Sequence, residues 1–211
     1  MKRRKVLGIA AGTALGASAA IAGQAETGFK PIFNGKDLTG IKLHGITADT
    51  LKVNAGVLEC SGKPNGYWYT EKSYKNYTLR FDYRYKRPEG LADENAFLGN
   101  SGYLIHIVGE HKVWPKCVEV QGMNRDVCAI FAIGGATGPR DNGNAEVRKT
   151  TRKPVGEWNS LEIISADGKL TASLNGVKLC EGGPYDVTEG TVGFQSEGAE
   201  IHWRNLRIKE A

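Results

Sequence analysis

The stretch CVEVQG, Cys117 to Gly122, sets a carboxylate and an amide two residues apart among valines. Read as a β-strand, it sends Val118 and Val120 into a core and turns Cys117, Glu119 and Gln121 to the other face. Asp82 and Arg84 alternate with aromatic residues in YTLRFDYRY (77–85), and Asn100-Ser101-Gly102 opens a third stretch with His106 four residues beyond the glycine. These types suit acid–base chemistry. Glu119 is the expected base or acid, because a half-buried carboxylate has a raised pKa. His106 takes the complementary role, since imidazole titrates near neutrality. Arg84 is the cationic donor to a developing negative oxygen. Asp82, Asn100, Ser101 and Gln121 would bind a ligand, and Gly102 would let it approach the backbone closely. Trp114, in KVWPK, is the expected aromatic platform. Each residue has a plainer alternative: a solvated strand face, a cross-strand Asp82–Arg84 pair, or a satisfied interior His106. Trp68, Trp158 and Trp203 are expected in the core, and His44, His111 and His202 in solvent or loops.

Strands must position these groups. YTLRFDYRY places Leu79, Phe81, Tyr83 and Tyr85 on one face and Arg80, Asp82 and Arg84 on the other. SGYLIHIVG and VCAIFAIGG are β-rich, and WNSLEIIS, KLTASL and VKLCEG are separated by Asp167-Gly168 and Asn175-Gly176. Those dipeptides are strong hairpin signals, because a type I′ turn needs positive φ at both central residues. Two further strands, TVGFQSEG and AEIHWRNLRIK, close the chain, and no amphipathic helix is expected. The pattern predicts an all-β sandwich. Two loops, 87–100 and 134–146, are longer than hairpins need, and long ordered loops in compact domains are often functional.

The chain has 211 residues with 28 Lys+Arg against 23 Asp+Glu, a formal charge of +5. KRRK at 2–5 and the nearly uncharged run after it read as an export signal, Sec or twin-arginine, cleaved after Ala22 or Ala25. Residues 1–25 are therefore assigned as signal and 26–211 as one domain, periplasmic or extracellular in a bacterium, with no stable membrane span once the signal is removed. Without the four basic residues the balance is 24 against 23. A nearly neutral protein lacks the charge that nucleic-acid binding usually needs, which argues against that partner. An exported chain can form disulfides. A hairpin centred on GMNRD would set Cys117 opposite Cys128 and leave Cys60 with Cys180, with free buried thiols as the alternative. No ligand spacing singles out a zinc site. A divalent metal on an Asp/Glu/His set is left open, and no other cofactor is evident.

FNGKDLTG (33–40), YWYTEKSYKNYTLRFDYRY (67–85), NSGYLIH (100–106), WPKCVEVQG (114–122), EWNSLEI (157–163), LNG (174–176) and GFQSEGAEIHWRNLRI (193–208) follow in order. Together they resemble the 3-keto-disaccharide hydrolase domain family across almost the whole mature chain. The resemblance implies a concanavalin A-like (laminin G-like) jelly-roll sandwich of two antiparallel sheets that processes 3-keto-glycosides. The family often has an aspartate soon after E-V-Q; here GMNRD supplies Asp126 less directly. A ketone at C3 acidifies the hydrogen at C2, so a base can form an enolate that expels the C1 substituent before water adds back. A two-carboxylate glycosidase is the competing chemistry. The alternatives in function are a lectin-like carbohydrate-binding module and, more remotely, a cell-surface interaction domain. The oligomeric state is not legible.

Overall fold

The computed structural model describes residues 26–211; the expected export signal lies outside them. Alternation in Tyr77–Tyr85 appears as strictly alternating burial, with Leu79, Phe81, Tyr83 and Tyr85 inside. That strand is the fourth along an eight-stranded antiparallel sheet. The sheet runs Val177–Gly182, Lys169–Leu174, Asn159–Ala166, Tyr77–Tyr85, Ile201–Glu210, Val57–Cys60, Leu51–Asn54, with Lys30–Pro31 also pairing Ile201–Glu210. The second sheet has six strands in the order Ile41–His44, Gly66–Thr70, Thr191–Ser196, Gly102–Val108, Lys116–Gln121, Ile130–Ile133. Both expected hairpin dipeptides have positive φ, 50° and 76° at Asp167-Gly168 and 48° and 85° at Asn175-Gly176.

The sheets pack over an aromatic core. Trp68 lies flat on Phe194 with centroids 4.1 Å apart, and Trp203 meets both edge-on. Truncating any of these rings to Ala is expected to cost about 3–5 kcal/mol through lost burial and the cavity left behind. Trp68 and Trp203 are thus core residues as expected. Trp158 is not. It lies half-buried on the outer face of the eight-stranded sheet, between the guanidinium groups of Arg84 and Arg204 at 4.6 and 4.1 Å.

Helix is scarce but present. Ala145–Thr151 forms one short helix, with the Asn144 side chain accepting from the amides of Glu146 and Val147 as its N-cap. It closes the 134–146 loop.

The cysteine pairing is corrected: all four thiols are free and buried. Cys117 opposes Ile133, five residues beyond Cys128, because the hairpin is centred on Arg125 within GMNRD and Cys128 lies too close to the turn to face Cys117. Cys117 packs with Tyr67 and Leu104 outside the six-stranded sheet, whereas Cys128 lies between the sheets. The backbone of the sheet separates them. Cys60 and Cys180 stand five strand positions apart in the eight-stranded sheet, roughly 24 Å at the usual spacing, far beyond disulfide reach.

Candidate functional site

Glu119 leaves the six-stranded sheet on its outer face, because Val118 and Val120 turn inward to the core. The adjacent strand gives it company. Glu119 pairs with Leu104, and Leu104 in turn with Gly193, so Gly102 lies between Gln121 and Gln195 on the same face. A methyl group added to Gly102 would collide with Oε1 of both Gln195 and Glu119. The missing side chain therefore makes the space in which these two oxygens converge. One step further, Asn100 bridges Glu197 in the same register. The Asn100 side chain lies beside the Glu197 carboxylate and lowers its pKa.

The electrostatics of this group are unusual for a surface. Glu119 is only 5% exposed, and its pKa is pushed up to about 8. Burial is the main cause, and the nearby Glu197 carboxylate adds to it. Arg140, from the 134–146 loop, pulls the other way. Arg140 stacks over Phe131, the cross-strand neighbour of Glu119, at 4.2 Å. Burial also raises Glu197, against the effect of the Asn100 side chain. Two interacting carboxyl groups with raised pKa values hold at least one proton between them at neutral pH. Such a pair can both give and take a proton. Gln195 Oε1 and Asn100 Oδ1 are buried and accept no hydrogen bond among the described residues. An unpaired buried acceptor costs about 1–3 kcal/mol, so these atoms favour a donor arriving from outside.

Trp114 flanks the group. It is 51% exposed and lines a small cleft with Asn65, Gln195 and Glu197. Its loop, 109–115, also carries His111, whose Nδ1 meets the Tyr67 hydroxyl at 2.7 Å and whose ring stacks on Tyr69 at 4.2 Å. Those contacts anchor the loop across the sheet and bury Tyr67 completely.

Several expected partners of Glu119 stand elsewhere. Arg84 and Asp82 belong to the eight-stranded sheet and point from its outer face. A sandwich about 10 Å thick separates them from Glu119, with the side chains directed apart. Asp82 is occupied there by Ser160, Arg204 and Asn205. Arg84 donates to His202 Nδ1, and His202 is buried rather than solvated. His106 is also displaced. A bulge between Ile105 and Val108 breaks the alternation, and His106 takes φ of 58°. Its ring is buried against Tyr77, with Nδ1 at 3.2 Å from the Val187 carbonyl and Nε2 at 3.1 Å from that of Lys75. Burial lowers its pKa. The interior alternative holds for His106.

Ser101 faces away from Gly102, and its hydroxyl bonds the Gln195 carbonyl at 2.9 Å. Gln121 stays on the correct face, but its Oε1 accepts from the Met123 amide and shapes the turn. Of the expected set, Glu119, Asn100 and Trp114 come together, with Gln121 at the margin. Gln195, Glu197 and Arg140 were missed. Q-S-E repeats the polar spacing of E-V-Q, and that spacing was the available signal. Among the described residues no group of three or more His, Cys, Asp and Glu is placed to hold a metal ion.

The two packed antiparallel sheets define a class: jelly-roll sandwiches. A candidate glycosyl hydrolase from Parabacteroides distasonis superposes with a TM-score of 0.62 at 24% identity, over 87% of this chain and 94% of its own. A carbohydrate-binding module from Bacillus subtilis gives 0.59 at 14%, over 82% and 98%. The Bacillus licheniformis beta-glucanase gives 0.53 at 8%, over 87% and 97%. These likenesses establish the fold. Within that class, the chain belongs to the family described as the 3-keto-alpha-glucoside-1,2-lyase-like domain, which matches residues 28–209. No relative was found among curated proteins.

Proposed function

We propose that this protein is an exported enzyme that cleaves 3-keto-glycosides by proton transfer between Glu119, Glu197 and the sugar. The observation that carries the reading is the convergence of Glu119 and Gln195 oxygens over Gly102, beside a second carboxyl group, Glu197. Glu119, protonated at neutral pH, is the acid that serves the departing C1 oxygen. Glu197 has less burial against it and is the base that removes the C2 hydrogen. The C2–H electrons form the C1–C2 double bond of the enone through the enolate, and the C1–O bond breaks. Water then adds across that double bond. Arg140 replaces Arg84 as the cation able to face the enolate oxygen, and the Asn100 and Gln195 side chains orient hydroxyls. Trp114 offers the ring for the apolar face of the sugar.

A second reading is a carbohydrate-binding module, favoured by the exposed Trp114 ring and the unpaired acceptors, which suffice for binding. Incubating the protein with a 3-keto-glycoside and following aglycone release separates the two. Release lost in Glu119→Gln supports the enzyme; binding without release supports the module. The amino-terminal sequence of the secreted protein tests export, with cleavage expected after Ala22 or Ala25.

A further inference from the structure

The two large apolar side chains most open to solvent among the described residues are Leu98, 62% exposed, and Trp114, 51% exposed. They lie on either side of one carboxylate. Glu197 lines the Trp114 cleft and also a separate open groove of about 650 Å³. Leu91, Phe97, Leu98 and Ala199 give that second groove an apolar wall, and its polar end is Asn100 with Glu197. It is built from the 87–100 loop, whose length no hairpin requires.

The exposed leucine is held in place. Arg87 reaches back to the carbonyls of Leu91 and Val155 and pairs with Glu94. Glu94 accepts from the Val155 amide at 2.7 Å. The Phe97 ring packs edge-on against Tyr85 at 5.2 Å, and Gly99 is required because a methyl there would strike that ring. The Asn124 amide then bonds the Gly99 carbonyl at 2.9 Å. A braced loop that still presents leucine to water leaves an apolar area uncovered, and such patches mark binding sites.

Resting on the proposed acid–base reading, we infer that this groove holds the leaving group, so the substrate is a 3-keto-glycoside with an apolar, ring-sized aglycone. The sugar would lie toward Trp114 and Gly102, the aglycone along Leu98, and the bond between them at Glu197. A second sugar would leave the leucine wall facing hydroxyl groups, with their hydrogen bonds unmet. Continuity with Asn100 and Glu197 favours part of the substrate over a separate partner.

The test is direct binding, read without turnover. Phenyl and methyl glucosides are titrated calorimetrically against the full chain, its Leu98→Asp variant and its Leu98→Ala variant, with circular dichroism as the fold control. The phenyl glucoside should bind at least about tenfold more tightly, from about 1.4 kcal/mol of ring burial. Leu98→Ala should shrink that ratio, and Leu98→Asp should bring it within about twofold while leaving methyl glucoside affinity unchanged. Equal affinities in the wild type, or a preference that survives Leu98→Asp, overturn the assignment. So does a concentration-dependent dimer that Leu98→Asp dissolves, because the groove would then be an interface between copies. A phenyl preference without release of phenol from the 3-keto form would instead sink the enzyme reading and leave the groove assignment standing.

Discussion

On the outer face of the eight-stranded sheet, Asp82 accepts from Ser160, Arg204 and Asn205, while Arg80 and Arg207 share Glu26. On the outer face of the six-stranded sheet, Gln195 Oε1 and Asn100 Oδ1 are buried with no donor among the described residues, and Glu119 is held well above its ordinary pKa. The first face also carries an open concavity, lined by Glu26, Arg80, Asp82, Glu162 and Arg207. A hollow alone does not make a site. Its charged groups already neutralise one another, so a ligand would have to break bonds before making any. The second face keeps unsatisfied groups in place, and preorganised polar groups of that kind are what catalysis uses.

The largest effect should come from Glu119→Gln, which removes the proton but keeps the shape. Turnover of a 3-keto-glycoside should fall by about 10²–10⁴, while Asp82→Asn on the opposite face should stay within about twofold. Equal losses from both variants in kcat/KM would erase the contrast between the faces. Gly102→Ala comes next. Its methyl would fill the space over which Glu119 and Gln195 converge, moving only side-chain ends. We expect about a hundredfold loss of kcat/KM, equivalent to roughly 2.7 kcal/mol, with the melting temperature little changed. A large drop in melting temperature instead would make Gly102 a packing residue.

Stability against pH sharpens the same contrast. The folded pKa of Glu119, about 8, exceeds its ordinary 4.5, so its contribution is fully present below 4.5 and is lost as pH rises to 8. Glu119→Gln carries no such charge. It should gain on the wild type by roughly 4 kcal/mol between pH 4 and 8, since one pKa unit is about 1.4 kcal/mol. Urea unfolding at both pH values measures this, and a constant difference would refute the raised pKa. Asp82→Ala should destabilise by about 1 kcal/mol at neutral pH, because it removes three hydrogen bonds whose donors water can still reach. The smallest effect belongs to His106. Its pKa is lowered by burial, so its contribution is intact above about 6.5 and declines as pH falls below that value. His106→Asn, which tolerates positive φ, should flatten stability over that acid range; an unchanged slope would show that His106 is not its source.

Strand alternation was legible wherever burial was one-sided. YTLRFDYRY and CVEVQG declare their faces, and Asp-Gly and Asn-Gly declare their turns, because period-two packing and positive φ are local requirements. The same local rules misplaced His106, where one bulge reversed the alternation, and they could not say that Arg84 and Glu119 belong to different sheets. They also put Trp158 in the core, since alternation cannot tell an aromatic ring under guanidinium groups from one between sheets.

Residue order along the chain therefore dictated two-faced strands, tight hairpins and the presence of a carboxylate on a polar face. It left undetermined which polar faces meet. Sheet membership depends on pairing between strands distant in sequence, as when Thr191–Ser196 inserts between Gly66–Thr70 and Gly102–Val108 and brings Gln195 and Glu197 to Glu119. That partnership arises from the burial of Trp68, Phe194 and Tyr103 between the sheets, a long-range energy that no short window of sequence contains.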